Sequence, residues 1–377
     1  MVNAYRRLRQ EGWNDRLARI KSFCKWEKFD ATADLEQSAV RLIQHRSDEY
    51  CYTLARWLKP IEKKVLYKKA RGVRPFAKAM TPKMKAKRLR EMTAFSDPVF
   101  VLLDHSRYDA HLVKQIRARA RRYFEAFYPG DSRLHHMLKL QEKNKCTTAN
   151  GIKYEMEGTM CSGDYNTSLE DNIVNYAIIR HVFRNVDARI LVDGDDSVVV
   201  VSARQMDRVN LAEFSTACLT TKVELKYLFE EVDFCQMKPI RTGAGLVMVR
   251  DPNRVMSRSS YTCKSYNTQS QYESLGAAVA ACEMSCNRGV PILQAYSQLL
   301  MRSTENARVM KRELENMLRY RRVGVNLEPI PVTPEARLDF WLAFGIDPRT
   351  QRRVEHWLST QLLPVVAMQV TSERKGL

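Results

Sequence analysis

The sequence predicts an α+β fold, and three observations carry that prediction. ILVDGDDSVVVV (190–201) sets two β-branched runs around a few Asp and Gly residues, the pattern of a β-hairpin. PVFVLLD (98–104) is an apolar run of buried-strand length that ends on Asp104. Between and after these runs the apolar spacing turns helical, and from about Ser265 onward it stays so. Strands that alternate with helices and end on Asp residues therefore organise the chain.

Taken in order, residues 1–60 read as helix and loop with mixed charge. From Lys63 to Arg90 the chain carries twelve basic residues and no acidic one, interleaved with Tyr67, Phe76 and other apolar residues. That mixture suits a packed wall whose basic side faces phosphates, although a charge run is more often a solvated face. After the strand at 98–104, SRYDAHLVKQIRARARRYFEAFY reads as one amphipathic helix closed by Pro129-Gly130, with Arg117–Arg122 as a second basic surface. The Gly-containing EGTMCSGDYNTS (157–168) leads into the helical LEDNIVNYAIIRHVFRNV. The hairpin follows, then a helix around 204–218 and β-like runs near 222–238 and 245–249. Helical spacing covers Leu275 to Met301 and places Trp341, Phe344 and Trp357 in a core.

With 377 residues the chain can fill a large core or two to three subdomains. Its formal charge of +19 makes an extended polyanion the first expected partner and an acidic membrane surface the second. Nine scattered cysteines without a CxxC pair suit reduced, mostly buried thiols in an intracellular protein. MVNAYRRLRQEGW lacks the apolar core of a signal peptide, and LSTQLLPVVAMQV is too short to span a bilayer.

The DGDD tip raises the chemical question. Asp193, Asp195 and Asp196 crowd one turn, where like charges repel unless a cation sits among them. A solvated Asp/Gly turn is the commoner alternative. If the strand ending at Asp104 neighbours the hairpin, Asp104, Asp195 and Asp196 converge on one sheet edge. Oxygen ligands so arranged suit two Mg²⁺ ions, one activating an attacking hydroxyl and one neutralising a leaving pyrophosphate. In GTMCSGDYNTS, glycine permits close approach to a ligand and the hydroxyls can bond a ribose or phosphate; Thr167 or Ser168 could equally be a helix N-cap. Arg41 and Arg46 flank an apolar run in VRLIQHR, where a guanidinium can grip a triphosphate or simply face solvent.

The order of these pieces resembles the RNA-dependent RNA polymerases of positive-strand RNA viruses, most closely the tombusvirus-like group. RLIQHR is similar to a finger motif R-V/L-I-Q-x-R, preceded by Lys25-Trp26-Glu27-Lys28 as its K-x-E-K. DHSRYDAH (104–111) matches the first palm motif D-x-S-R-F/Y-D-x-H, SGDYNT (162–167) the second and Gly194-Asp195-Asp196 the third. Lys222 in TTKVE and FCQMKPI (234–240) resemble the fourth and fifth, and MVRDPNRVMSR trails them. Seven pieces in the family's order, over roughly residues 23–260, make the resemblance specific.

The resemblance implies a right-hand fold, its palm an antiparallel sheet backed by helices. Fingers would take residues 1–95 and 129–157, palm 96–128 and 158–255, and a helical thumb 256–377. It implies Mg²⁺, with Mn²⁺ as substitute, as two ions held by Asp104 and Asp195 with Asp196 beside them. Arg41 and Arg46 would contact the nucleotide triphosphate. Asp109 with Ser162, Gly163 and Thr167 would read the ribose, and Lys222 is the candidate general acid. Lys25, Lys28, Lys63, Lys64, Lys68, Lys69 and Arg71 would bind RNA. In the family an Asn nine residues after the motif's Ser joins Asp109 on the ribose 2′-OH. Here that place holds Asp171, with Asn172 one step on. The reading preferred from sequence shifts the helix start by one residue, so that Asn172 faces Asp109 and Glu170-Asp171 lie at the helix N-terminus. The expected partners are RNA template and product and NTPs; with no transmembrane segment read in this sequence, membrane anchoring is expected from viral or host factors or from sequence outside this chain. The expected location is the host cytoplasm, at membrane-associated replication sites. A reverse transcriptase is the rival enzyme, disfavoured by glycine before Asp195-Asp196 and by SGDYNT. A non-catalytic RNA-binding factor gives no reason for the strand-end carboxylates.

Overall fold

The computed structural model describes residues 2–25, 27, 28, 41–69 and 73–365. It is a mixed α+β protein of two compact units, residues 1–78 with 92–226, and residues 79–91 with 227–377. In chain order, α1 (Val2–Glu11), β1 (Ile20–Cys24), β2 (Leu42–His45) and α2 (Asp48–Leu66) open the first unit. After α3 (Pro82–Met92) come β3 (Pro98–His105), α4 (Tyr108–His111), α5 (Lys114–Glu125), α6 (Ser132–Lys139), β4 (Lys143–Thr148) and β5 (Lys153–Glu157). Then α7 (Thr167–Val182), β6 (Arg189–Asp193), β7 (Asp196–Ser202), α8 (Glu213–Thr216) and β8 (Thr221–Lys226) complete that unit. The second unit continues with β9 (Met237–Thr242), β10 (Gly245–Arg250), α9 (Pro252–Ser259), α10 (Gln269–Cys286), α11 (Leu293–Ser303), α12 (Lys311–Arg321), α13 (Pro334–Phe344) and α14 (Pro348–Thr360).

The sheet that matters for the site has the order β6-β7-β3-β8 and is antiparallel throughout. Its two central strands are apolar on both faces. Val198, Val199, Val200 and Val201 are all fully enclosed, which explains an unbroken apolar run where a half-exposed strand would alternate. Burying each valine contributes roughly 1.5–3 kcal/mol before chain entropy is counted. One face of β3 and β7 (Val99, Val101, Val199, Val201) shares a core with Leu169, Val174, Ile179 and Val182 of α7 and Phe124 of α5. The hairpin expected at 190–201 is present as β6 and β7.

Several expectations are corrected. Residues 1–60 contain strands as well as helix: β1 pairs with β2 and, in parallel, with β4, and β5 completes a second four-stranded sheet. β1 alternates buried and exposed residues, but it turns Ser22 inward and Phe23 outward, so no apolar alternation marks it. The single helix expected after Asp104 is two, because Val113 adopts an extended backbone between α4 and α5. The helix expected at 204–218 shrinks to a 3-10 turn, Ala203–Arg208, and the one-turn α8. Helix also stops between α10 and α11, where Gly289 takes a φ of +71° and Pro291 follows.

In the second unit the β9–β10 hairpin and helices α9, α11, α13 and α14 enclose Ile240, Val249, Val255, Leu293, Tyr296 and Phe340. Phe344 packs against this core. Trp341 and Trp357 do not; they are 46% and 58% exposed, on the outer faces of α13 and α14. The basic run is divided between the two units. Lys63 and Lys64 end α2 in the first unit, whereas residues 79–91 belong to the second, where Lys85 and Arg88 are buried. Arg71 lies outside the described residues. Among the described residues no helix is long and apolar enough to cross a membrane.

Candidate active site

Strand register assembles the acidic cluster. Leu103 of β3 lies opposite Ser197 of β7, so the next pair outward sets Asp104 against Asp196. On its other side Asp104 is opposite Lys222 of β8, and Asp196 is opposite Asp193 of β6. Directly opposed residues point to the same face of a sheet. Asp193, Asp196, Asp104 and Lys222 thus form one row across four strands, and Asp195 stands in the turn beside it. Asp104, Asp195 and Asp196 are solvent-exposed. Gly194 holds the two-residue turn with a φ of +77°, and a Cβ there would meet nothing within 4 Å. Conformation, not space, therefore demands glycine. The Lys222 ammonium lies 2.7 Å from Glu224; that carboxylate first, and Asp104 after it, hold Lys222 protonated.

The turn is held from behind by residues that the sequence reading passed over. Asn175 of α7 donates its Nδ2 hydrogens to the carbonyls of Gly194 (2.9 Å) and Asp195 (3.3 Å). Its Oδ1 therefore accepts from His105 Nε2 at 3.0 Å, which leaves His105 Nδ1 to accept from the Thr221 hydroxyl at 2.9 Å. Burial pushes the His105 imidazole down, keeping it neutral. This chain ties β8, β3, α7 and the DGDD turn in one direction of donation. Asn175→Ala removes three of its contacts. Hydrogen–deuterium exchange at residues 193–196 is expected to quicken by about tenfold, matching the ~1–3 kcal/mol of unsatisfied buried groups. An unchanged rate there would remove Asn175 from this role.

The SGDYNT loop is built differently from its sequence reading. Gly163 approaches β2 closely: a Cβ would stand 2.6 Å from His45 Cβ and 2.8 Å from the Gln44 carbonyl. Its N–H bonds that carbonyl at 2.8 Å. Ser162 is exposed, its hydroxyl accepting from Gln44 N at 3.2 Å. The Thr167 hydroxyl turns back onto the Cys161 carbonyl at 2.8 Å, and Asn166 occupies the N-cap position. Ser168 accepts from Lys78 Nζ at 2.7 Å.

Arg46 is corrected as well. Its side chain is fully buried, donating to Asp164 (2.6 Å), Asn144 (2.5 Å) and the Ala18 carbonyl (2.5 Å). No hydrogen-bonding face is left for a triphosphate. Arg117, expected on a phosphate-facing surface, is equally enclosed and pairs with Glu170 at 2.9 Å. Arg121 is buried beside Glu142. Arg41, by contrast, is 64% exposed. It grips Glu27, which Lys25 also contacts at 3.0 Å. The Arg41 guanidinium brings the Glu27 carboxyl down to about 2. The Glu27 carboxylate first, and the Asp195 charge last, raise the Arg41 guanidinium. Lys63, Lys64, Lys68 and Lys69 are exposed, and Lys28 is half-buried.

Asp109 opens a second acidic pair. Burial, then the Asp195 charge, raise its carboxyl to about 6. α7 starts at Thr167, with Glu170 in its first turn and Asp171 as its fifth residue, 6% exposed. Burial and then Asp109 push Asp171 well above the carboxylate range. Asn172 donates to the Ser168 carbonyl at 2.7 Å, and its Oδ1, like Asp171 Oδ1, is buried without a hydrogen-bond partner.

Three exposed carboxylates at one strand end, two directly opposed, fit a hard, oxygen-preferring divalent cation. Among the described residues, no three His, Cys, Asp or Glu side chains already form a cage. Magnesium, which keeps much of its water, does not need one.

Residues 1–363 match the family described as viral RNA dependent RNA polymerase. The chain is 30% identical over 383 residues to the RNA-directed RNA polymerase of Tobacco necrosis virus (strain A), covering 96% of this chain and 52% of that protein. It is 31% identical over 363 residues to that of Melon necrotic spot virus (90% and 45%) and 28% identical over 357 residues to that of Maize chlorotic mottle virus (91% and 37%). The chain spans about half the length, or less, of these curated relatives.

Proposed function

The chain belongs to the viral RNA-dependent RNA polymerase family, and on that premise we propose that it copies a positive-strand RNA genome by transferring nucleotides from NTPs to an RNA 3′-OH. The observation that carries the reading is the row of Asp193, Asp196, Asp104 and Lys222, with Asp195 in the turn beside it. In this reading the antiparallel sheet is the palm (96–128 and 158–255), flanked by fingers (1–95 and 129–157) and a thumb (256–377).

Asp104 and Asp195, with Asp196 beside them, would hold two Mg²⁺ ions, Mn²⁺ substituting. When bound, the ions lower the pKa of the attacking hydroxyl and neutralise the leaving pyrophosphate. The residues of the chain do the rest. Arg41 exchanges Glu27 for the triphosphate, a bidentate site for a bidentate site. Lys222 stands one strand from Asp104, where its ammonium can supply a proton to pyrophosphate. Exposed Ser162 and half-buried Asp109 would face the sugar, and Lys25, Lys28, Lys63, Lys64, Lys68 and Lys69 would attract the RNA backbone. A viral or host factor would bring the chain to membranes of the host cytoplasm.

The test is incorporation of labelled nucleotide on a primed RNA template, with NTPs and dNTPs in parallel. NTP-dependent, template-dependent extension is expected. Extension with dNTPs alone would make it a reverse transcriptase, and RNA binding without extension a non-catalytic factor.

A further inference from the structure

We propose that Lys78 binds a phosphate group of the substrates, an RNA backbone phosphodiester or a nucleotide phosphate, at the acidic end of the β6-β7-β3-β8 sheet. The inference deepens, and rests on, the reading of this chain as a polymerase. The backbone places the residue. Residues 75–77 run parallel to β6 along its outer edge: Val192 donates its N–H to the Pro75 carbonyl at 2.9 Å, and Ala77 donates to the Val192 carbonyl at 2.8 Å, with Phe76 bridged to Val192 between them. Parallel neighbours advance together, and β6 runs on through Asp193 to Gly194. Lys78 therefore emerges at the end of the sheet that holds the DGDD turn. Phe76 packs edge-on against Tyr176 of α7, 5.3 Å between ring centres, and Arg74 donates to the Lys78 carbonyl. Held in this way, the backbone leaves the long side chain as the moving part.

That side chain crosses to α7 and donates to the Ser168 hydroxyl at 2.7 Å. The neutral oxygen is its one hydrogen-bond partner among the described residues, and none of their carboxylates lies within ion-pairing distance. Other cations of the same unit are matched: Arg46 has Asp164, Arg117 has Glu170, Arg121 has Glu142 and Arg41 has Glu27. Lys78 is half-buried. It has given up part of its water without gaining a counter-charge, and two of its three N–H groups are unclaimed. A phosphate oxygen supplies both the charge and the acceptor, and a charge-assisted hydrogen bond is roughly twice as strong as one to a neutral hydroxyl.

The spacing says which phosphate fits. Ser168 precedes Asn175, which holds the DGDD turn, by seven residues of α7, or about 10 Å along the helix. A phosphate on Lys78 sits apart from the atoms reacting at the turn. A backbone phosphate of bound RNA matches that position better than the reacting triphosphate does.

Two variants test the contact. Lys78→Met keeps the apolar stem and removes the charge; Ser168→Ala removes the hydroxyl and frees the ammonium. Titration of single-stranded RNA at several salt concentrations should show Lys78→Met about tenfold weaker at low salt. Its slope of log affinity against log salt should shrink by about 0.7, the value of one phosphate contact. Ser168→Ala should keep the slope and bind at least as tightly, and Lys78→Arg should restore it. Equilibrium titration with NTP separates the sources. A lost RNA slope assigns the phosphate to the RNA backbone, whereas a kept slope with about tenfold weaker NTP binding assigns it to the nucleotide. Lys78→Met with both unchanged overturns the proposal. So does equal weakening by Lys78→Met and Ser168→Ala, because Lys78 then only ties residues 75–78 to α7. If the unaltered chain binds RNA but incorporates no nucleotide, the polymerase reading fails, and the two titrations still decide the phosphate contact.

Discussion

Asp195→Asn is expected to lower nucleotide incorporation by at least about a thousandfold, since charge stabilisation at a metal-assisted site contributes several kcal/mol and each ~1.4 kcal/mol is tenfold. The substitution keeps the size of the side chain and removes one negative charge from a turn already crowded with Asp193 and Asp196. Asp195 is exposed, so stability should change by no more than about 0.5 kcal/mol. RNA affinity should hold or rise, because the charge removed repels phosphate. A chelator should reproduce the loss in the unaltered protein, and added Mg²⁺ or Mn²⁺ should reverse it. Primer extension and an RNA-binding titration on the same preparation separate these effects. Incorporation at the rate of the unaltered protein would remove Asp195 from the chemistry.

The second large effect is on stability. Arg117→Met is expected to destabilise the first unit by about 3–5 kcal/mol, because it leaves the Glu170 carboxylate buried without its cation. Both side chains are fully enclosed at 2.9 Å, and Asn166, which donates to Glu170 at 2.6 Å, cannot replace a charge. Against a total stability of typically 5–15 kcal/mol, this is a large fraction. Urea unfolding followed by fluorescence reads it out. Replacing both partners, Arg117→Met with Glu170→Leu, should recover most of the loss, since an apolar pair of similar volume carries no desolvation penalty. A double variant as unstable as the single one would mean that Gln141 and Asn166, rather than the ion pair, hold the loop.

By itself the sequence determined the strands that carry the carboxylates, and hence the candidate chemistry. An unbroken run of valines is legible because a strand buried on both faces admits little else, and Asp-Gly between two such runs is legible as a turn. The ordered motifs DHSRYDAH, SGDYNT and GDD pointed to the family before any contact was known. Polar residues were harder to read, because their partners lie far along the chain. Arg46 and Arg117 look like surface cations in VRLIQHR and KQIRARARR, and only Asp164 and Glu170, over a hundred and over fifty residues on, turn them inward. Gly163 resembles a ligand-binding glycine until β2 is seen packed against it. His105 and Asn175 carry no pattern at all, since a hydrogen-bond relay has no period. The start of α7 was left to tertiary structure for the same reason. Capping residues at 166–168 allow either register, and α7 begins at Thr167 with Glu170 buried against Arg117.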